Sequence, residues 1–285
     1  MTDLGPRTWT EVAADRPTTL LVPLGSTEQH GPHLPLDTDT RVAVAWAEAL
    51  AEGRAGVVVA PPIPVGSSGE HEGFPGTISI GQDALELLVV ELVRSAMRWV
   101  GEVVLVCGHG GNAEPIRRAT DRLVSEGRPV RALFPRLAGD AHAGHTETSL
   151  LLHLAPDLVR LERAEAGCTV PVGELMEVLR RAGLAEVAPN GVLGDPTGAS
   201  ADEGRRLLAR LVATVPEDGA GEATTEAVDE PTPGTGSQPP LSDRAATFPD
   251  ERSGGPRNED PSRGAVGPEP GLEDRRGRAR PAEGG

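Results

Sequence analysis

The sequence is poor in several residue types that would otherwise define its class. Its 285 residues include no lysine, no tyrosine and only two cysteines, Cys107 and Cys168. Two cysteines far apart in the chain exclude a disulfide framework and a cysteine-based zinc finger. Cys107 lies inside an apolar run, which favours a buried thiol over a nucleophile. The N-terminus lacks the charged and then apolar pattern of a signal peptide, so we expect a soluble, cytoplasmic protein.

Positive charge is also scarce. The formal net charge is −16, which disfavours general binding to nucleic acid. The one basic cluster, at residues 275–280, is short and lies among acidic residues, so a solvated segment is the better interpretation. No apolar run approaches the ~20 residues that a membrane-spanning helix needs. We therefore expect neither nucleic acid nor membrane as a partner.

Apolar residues nearly vanish from about Glu217 onward, where Gly, Pro, Glu, Asp and Arg dominate. Such a segment cannot bury enough apolar surface to offset the entropy lost on ordering it. The sequence therefore predicts a folded domain over residues 1–216 and a disordered tail over 217–285. A domain of that length can bury a sizeable single core.

Short apolar runs alternate with helical patterns through this domain. The runs predict buried strands at 20–22, 57–60, 103–107 and 130–134, with the first ending at Pro23 and Gly25. Helical spacing of apolar residues predicts helices at 41–52, 84–100, 113–126, 150–154, 172–183 and 202–215. This alternation predicts an α/β fold, a three-layer α/β/α sandwich with a mostly parallel sheet.

The loop after the first strand is dense in possible metal ligands. Glu28, His30, His33, Asp37 and Asp39 all fall in the stretch LLVPLGSTEQHGPHLPLDTDT. Carboxylate oxygen and imidazole nitrogen together favour zinc, iron or manganese over calcium. Glu28 and His30, two residues apart, point to one side of an extended segment. The alternative interpretation is a polar loop in which Asp37, Thr38 or Asp39 caps the next helix.

Six of the seven histidines fall in four polar loops: His30, His33, His71, His109, His142 and His145. Because ligands of parallel α/β sheets bind beyond the carboxyl ends of the strands, this segregation predicts one shared site. Two alternatives stay open. The helix start after Gly111 could cradle a phosphate, although no G-x-G-x-x-G fingerprint or Walker lysine is present. Glu147 could be a first-turn acid that the helix dipole favours.

Three classes of function fit these residues: a metal-dependent hydrolase, a phosphate or nucleotide binder, and a non-catalytic metal or structural protein. In the first, a metal ion makes hydroxide available and polarises a carbonyl, one carboxylate could bridge two ions, and a free histidine could protonate the leaving nitrogen. Serine catalysis through Ser26 or Ser149 is a weak competitor, because neither lies in a nucleophile-elbow pattern.

Four stretches of this sequence resemble the creatininase (creatinine amidohydrolase) family. They are GSTEQHGPHLPLDTDT, GEHEGFPGTISI, CGHGGN and HAGHTETS, and the resemblance covers roughly residues 18–215. It implies a three-layer α/β fold and hydrolysis of an amide-type C–N bond, commonly in a homo-oligomer. It also implies a divalent-metal cofactor, two ions per site, as zinc, iron or manganese.

The resemblance also implies roles for particular residues. Glu28, His30, Asp39 and His109 match metal ligands, with Asp39 bridging, and His142 matches the catalytic histidine. Creatininase proper has a glutamate ligand where this chain has Gly111, which puts creatinine in doubt as the substrate. Glu147 is the nearest residue to complete the ligand set. The expected substrate pocket uses Glu70, His71, Gly76 and Thr77.

Within the family, three stretches resemble a peptidase branch: LLVPLGSTEQHGPHLPLDTDTR, DAHAGHTETSLLLH and residues 189–197. Such a protein trims a precursor peptide that a radical enzyme has modified. It releases the C-terminal Val–Tyr-derived dipeptide for maturation of a redox cofactor. The alternative within the family is a small-molecule amidohydrolase acting on a cyclic amide or a formamide.

Overall fold

A computed structural model describes residues 2–137 and 139–215 of the chain. The predicted tail, residues 217–285, lies outside the described residues. Within the described ranges, no helix combines the length and the apolar character that crossing a membrane requires.

A four-stranded parallel sheet forms the centre of the described fold. Its strands are β1 (Thr19–Leu24), β2 (Val57–Val59), β3 (Glu102–Cys107) and β4 (Val130–Leu133), in the order β2-β1-β3-β4. Every pairing is parallel, and Leu21 of β1 lies between Val59 of β2 and Val104 of β3. The strands are apolar on both faces because both are covered, as the unbroken runs predict.

Seven α-helices surround the sheet in the described part of the chain. They are α1 (Trp9–Asp15), α2 (Thr38–Ala51), α3 (Gln82–Ala96), α4 (Ala113–Ser125), α5 (His145–Leu154), α6 (Val172–Ala182) and α7 (Ala201–Ala213). One side of the sheet packs against α3 and α4 through a core that includes Val22, Leu105, Val89 and Ile116. The other side packs against α2 and α7 through Leu21, Val104, Trp46 and Leu211. The predicted three-layer sandwich is confirmed.

The prediction that the first strand ends at Pro23 is wrong. β1 continues to Leu24, and Pro23 pairs with Val106 of β3. The carbonyl of Pro23 accepts a hydrogen bond from the N–H of Ile63, on the β2 side of the strand. Because β2 already ends at Val59, the missing N–H of Pro23 interrupts no bond of that ladder.

Three helix starts also differ from the prediction. α1 was not predicted, because it buries no side chain and so shows no apolar periodicity. α5 begins at His145 rather than at residue 150, so Glu147 lies in its first turn. α2 begins at Thr38, with Asp37 at the N-cap, yet Asp37 makes no capping hydrogen bond through its side chain and instead pairs with Arg41.

Candidate metal centre

The candidate site lies where the sheet topology gathers the loops that follow β1 and β3. Glu28 and His30 come from the loop after β1, and Asp39 lies in the first turn of α2. His109 follows β3 by two residues. Parallel strands bring their carboxyl ends to one edge of the sheet, so residues 28 and 109 become neighbours although they are distant in sequence.

Asp39 lies between two imidazoles. Its Oδ1 is 3.0 Å from Nε2 of His30, and its Oδ2 is 3.1 Å from Nδ1 of His109. The hydroxyl of Ser26 donates a further hydrogen bond of 2.8 Å to Oδ2. All four residues are buried. One carboxylate therefore joins two imidazoles through its two different oxygens, which is the arrangement that a bridging ligand requires.

Glu28 is a fully buried carboxylate, and neither of its oxygens accepts a hydrogen bond. Imidazole nitrogens nevertheless lie close, with Nε2 of His109 3.2 Å from Oε2 and Nε2 of His71 3.4 Å from Oε1. A buried carboxylate without hydrogen bonds is costly unless a cation compensates its charge. Glu28 is therefore a side chain that a metal ion would satisfy.

Glu147 approaches the same cluster from α5. Its Oε2 is 3.9 Å from Nε2 of His30, and it accepts a hydrogen bond from the N–H of Ala143. α5 therefore delivers a third carboxylate to the site. The apolar pattern of α5 does not reveal that Glu147 belongs to the helix, because Glu147 lies about one turn before the first apolar residue of that pattern.

In the described part of the chain, three combinations of side chains have ligand atoms within 4.8 Å of one another. They are Glu28, Asp39 and His109; His30, Asp39 and Glu147; and Glu28, His30 and His142. The first two combinations share only Asp39. Mixed carboxylate and imidazole donors suit zinc, iron or manganese. The residues present thus fit a pair of divalent ions.

Strong electrostatic coupling follows from this packing. Burial alone would lower the pKa of His30, but the Asp39 carboxylate outweighs burial and raises that pKa to about 10. Burial raises the pKa of Glu147 to about 7, with His30 opposing. Burial lowers the pKa of His71 to about 3 and places the pKa of His142 well below its usual range. His71 and His142 are therefore neutral imidazoles near pH 7.

Glu70 occupies the space next to Gly111. A side-chain carbon at position 111 would lie 2.6 Å from Oε1 of Glu70 and 2.4 Å from the carbonyl oxygen of Ser67. That same Oε1 is 3.9 Å from Nε2 of His71 and 4.0 Å from Nε2 of His109. The carboxylate of Glu70, from another loop, thus occupies the space beside Gly111.

The other expected pocket residues, Gly76 and Thr77, lie behind a neighbouring cleft. Thr77 accepts a hydrogen bond from the backbone N–H of Gln29 at 3.1 Å, and Gly76 packs against Leu36. Gln29 and Leu36 in turn line a cleft of about 350 Å³. The rest of its lining is mainly apolar: Gly31, Pro32, Phe74, Pro75, Pro189 and Asn190. Gln29 connects this cleft to the cluster of imidazoles.

The structure brings together four of the six histidines that the sequence groups. His30 and His71 each lie within 4.5 Å of His142 by ring centroid, and His109 contacts Asp39 and Glu28. His33 instead bonds to Thr148 through Nε2 at 2.9 Å. His145 is the first residue of α5 and belongs to no group of possible metal ligands among the described residues. The prediction of one shared site for all six is too broad.

Sequence reasoning did not single out Gln29, which contacts both His71 and His142. Its position between Glu28 and His30 was the available signal. Adjacent residues of an extended segment point to opposite sides, and here the intervening side chain turns to the cleft rather than to solvent.

Fold and site together define an α/β protein with a buried cluster of carboxylates and imidazoles that could hold divalent metal. A family model described as creatininase, creatinine amidohydrolase, matches residues 6–217. The chain belongs to the creatininase family. The predicted resemblance is confirmed.

Relatives with similar sequences carry a more specific name. The "Mycofactocin precursor peptide peptidase" of Mycobacterium ulcerans is 52% identical over 219 residues, which are 74% of this chain and 87% of that protein. The protein of the same name from Mycolicibacterium smegmatis is 54% identical over 201 residues, covering 68% of this chain and 81% of that one.

Solved creatininases share the fold. A substituted creatininase described as "Zn-Zn type" is 29% identical with a TM-score of 0.60, covering 74% of this chain and 94% of that one. A structure described as "Creatininase Mn" has the same identity and TM-score, and covers 74% of this chain and 95% of that one. Zinc and manganese, the metals named for these two structures, are among those that the donor atoms favour.

Proposed function

We propose that this protein is a metal-dependent peptidase that acts on the mycofactocin precursor peptide. The reaction is hydrolysis of the peptide bond before the modified C-terminal Val–Tyr-derived dipeptide. The observation that carries the proposal is the Asp39 carboxylate, which is shared by two groups of metal-binding side chains. The names of relatives about 50% identical to this chain support the choice of substrate.

The ligand roles follow from the contacts. Glu28, Asp39 and His109 would hold one ion, and His30, Asp39 and Glu147 would hold a second. A divalent metal there supplies Lewis acidity, which makes water more acidic and polarises the scissile carbonyl. The charge of Asp39 keeps His30 and His109 in place before metal arrives, because both imidazoles already bond to it.

His142 is the proposed proton carrier. Its Nε2 lies 2.9 Å from the carbonyl oxygen of Gln29, which can only accept, and 3.0 Å from the side-chain Nε2 of Gln29. The two protons of that amide nitrogen go to Gly191 and His71, so the ring proton of His142 is on Nε2 and bonds to the carbonyl. Its Nδ1 faces the centre, 4.0 Å from Oε1 of Glu28. A free nitrogen there can take a proton as water is consumed and deliver it to the leaving amine.

The cleft beside Gln29 is the proposed binding site for the modified end of the substrate. Leu36, Phe74 and three prolines give it an apolar lining, which suits a bulky, mainly apolar group. Thr77 and Gly76 contact residues of this lining, since Thr77 bonds to the backbone of Gln29 and Gly76 packs against Leu36. His71 and Glu70 lie close to each other, and His71 also lies close to Glu28.

Three further expectations belong to this proposal. They are a homo-oligomeric assembly, a cytoplasmic location and a division into a domain over residues 1–216 and a tail over 217–285. The family model matches residues 6–217, which supports an end of the domain near residue 216.

A comparison of substrates distinguishes the peptidase proposal from the alternative of a small-molecule amidohydrolase. The zinc-loaded protein would be assayed with the modified peptide, with creatinine and with a formamide. We expect a much higher kcat/KM for the peptide. Turnover of creatinine or the formamide, with the peptide left uncleaved, would contradict the proposal.

A further inference from the structure

The side-chain amide of Gln29 is buried and held in one orientation by two backbone groups. Its Oε1 accepts a hydrogen bond of 2.8 Å from the N–H of Gly31, and its Nε2 donates one of 3.1 Å to the carbonyl of Gly191. A backbone N–H only donates and a carbonyl only accepts. These two contacts therefore identify which end of the amide is nitrogen.

This orientation determines where His71 carries its proton. Nε2 of Gln29 is 3.0 Å from Nδ1 of His71. The amide nitrogen can only donate, so Nδ1 of His71 accepts and the proton of the neutral ring is on Nε2. That Nε2 lies 3.4 Å from Oε1 of Glu28. His71 consequently directs an N–H towards a carboxylate that accepts no hydrogen bond.

The backbone of Gln29 determines the proton position of His142 in the same way. The carbonyl oxygen of Gln29 lies 2.9 Å from Nε2 of His142, and the side-chain Nε2 of Gln29 lies 3.0 Å from the same nitrogen. Because the two protons of the amide nitrogen already point to Gly191 and His71, Nε2 of His142 is the donor to the carbonyl. The unprotonated Nδ1 then faces Glu28. The rings of His71 and His142 lie beside each other, with centroids 4.5 Å apart, so Gln29 can contact both.

The loop that contains Gly191 closes around this amide. A side-chain carbon at position 191 would lie only 1.9 Å from Oε1 of Gln29, and the backbone there has a φ of +74°. The same loop pairs with the His142 segment through Leu193, whose N–H donates to the carbonyl of His142 at 2.9 Å. Packing of the loop therefore leaves Gln29 no alternative position.

We propose that Gln29 is a positioning residue that fixes the tautomers of His71 and His142. Its amide keeps the His71 proton directed at Glu28, and its carbonyl keeps the free nitrogen of His142 directed at the substrate. Residues that orient metal-site side chains in this way influence activity by about 10- to 100-fold. The inference rests on the proposed function only for its kinetic readout.

The direct test is nitrogen-15 NMR of histidine rings in the full-length protein, zinc-loaded and metal-free. The His71 signals would be assigned with a His71→Asn variant. We expect Nδ1 of His71 to be unprotonated and to couple across a hydrogen bond to Nε2 of Gln29. A proton on Nδ1 of His71 in the wild-type protein would overturn the proposal; a variant is needed only to assign the signals.

The Gln29→Glu variant tests the consequence. A carboxylate accepts rather than donates, so it should draw the His71 proton to Nδ1 and turn a lone pair towards Glu28. We expect unchanged zinc content, the switched tautomer and a kcat lower by about 10- to 100-fold. Gln82→Glu makes the same chemical change at the exposed start of α3 and should alter neither tautomer nor kcat.

Failure of this proposal can be distinguished from failure of the proposed function. If the wild-type protein does not cleave the modified peptide, the peptidase proposal fails, while the ring-nitrogen spectra still test Gln29. A Gln29→Glu protein that keeps the wild-type His71 tautomer would contradict the positioning role, whatever its substrate.

Discussion

At the scale of single residues, Asp39 is the side chain on which both proposed metal sites depend. Its two oxygens contact different imidazoles, and the two groups of ligands share no other residue. Loss of this carboxylate leaves His30 and His109 without their common partner.

We therefore expect Asp39→Ala to abolish metal loading and peptide cleavage together. Metal per chain would be measured by mass spectrometry of the elements, alongside the cleavage rate. Asp37→Ala is the matched control, because Asp37 lies two residues away, is half-exposed and pairs only with Arg41 on the surface side. Full metal content in Asp39→Ala would show that Asp39 is not a bridging ligand.

His142 gives the opposite expectation for metal. It belongs to neither of the two ligand groups that share Asp39, so His142→Ala should keep its metal. Loss of the proton carrier should lower kcat by about 10²- to 10⁴-fold. His153→Ala, an exposed histidine on α5, is the control. If His142→Ala turned over the peptide at the wild-type rate, the proton-carrier role would be wrong.

At the scale of elements, the site depends on how closely α5 packs against α7. Gly204 of α7 faces the backbone of α5, and a side-chain carbon there would lie 1.9 Å from the carbonyl oxygen of Ser149. α5 also carries Glu147 into the centre. The close contact of the two helices thus sets the position of one proposed ligand.

Gly204→Ala should destabilise the protein although alanine is the better helix former. Overpacking against a backbone atom costs about 1–3 kcal/mol, more than the ~1 kcal/mol gained in helix propensity. Gly173→Ala in α6 is the control, because nothing lies within 4 Å of its added carbon, so it should be neutral or stabilising. Denaturant unfolding measures both. Equal stabilisation by the two substitutions would refute the packing argument.

Elements could be predicted from sequence where burial imposes a pattern. The strands were evident because both faces of the sheet are covered, so their apolar runs are unbroken. Helix α1 was missed because it buries no side chain and so shows no apolar face in the sequence. Its capping box, formed by Thr8 and Glu11, was a usable signal. The sequence-based prediction ended the first strand at Pro23, because proline usually interrupts a strand. The structure tolerates this proline because β2 ends before it, and that tertiary feature is not visible in the sequence.

The same contrast holds for the site. The motifs predict Glu28, His30, Asp39, His109, Glu147 and His142, and the structure places each of them in at least one group of ligand atoms within 4.8 Å. The contacts of Gln29 and the position of Glu70 beside Gly111 could not be predicted, because both depend on contacts between separate loops.

At the scale of the whole molecule, the fold buries carboxylates and imidazoles together in its interior. The carboxylates of Glu28 and Asp39 are buried, and those of Glu28 accept no hydrogen bond. A bound cation should therefore stabilise the entire domain, because the unfolded chain cannot assemble these ligands.

Chelator treatment should consequently lower the Tm, and zinc should restore it. Free metal at 100 times its Kd contributes about 2.7 kcal/mol to stability. Calorimetry of chelated and zinc-loaded protein measures this difference, and Asp39→Ala serves as the control that should no longer respond. An unchanged Tm in the wild-type protein would contradict the metal-centre account.

The most direct test of the central claim is mass spectrometry of the modified precursor peptide after incubation with zinc-loaded protein. Chelated protein and the Asp39→Ala variant would be run in parallel. We predict release of the C-terminal dipeptide by the zinc-loaded wild-type protein alone. An intact peptide in the presence of folded, metal-loaded protein would contradict the account, as would equal cleavage after chelation.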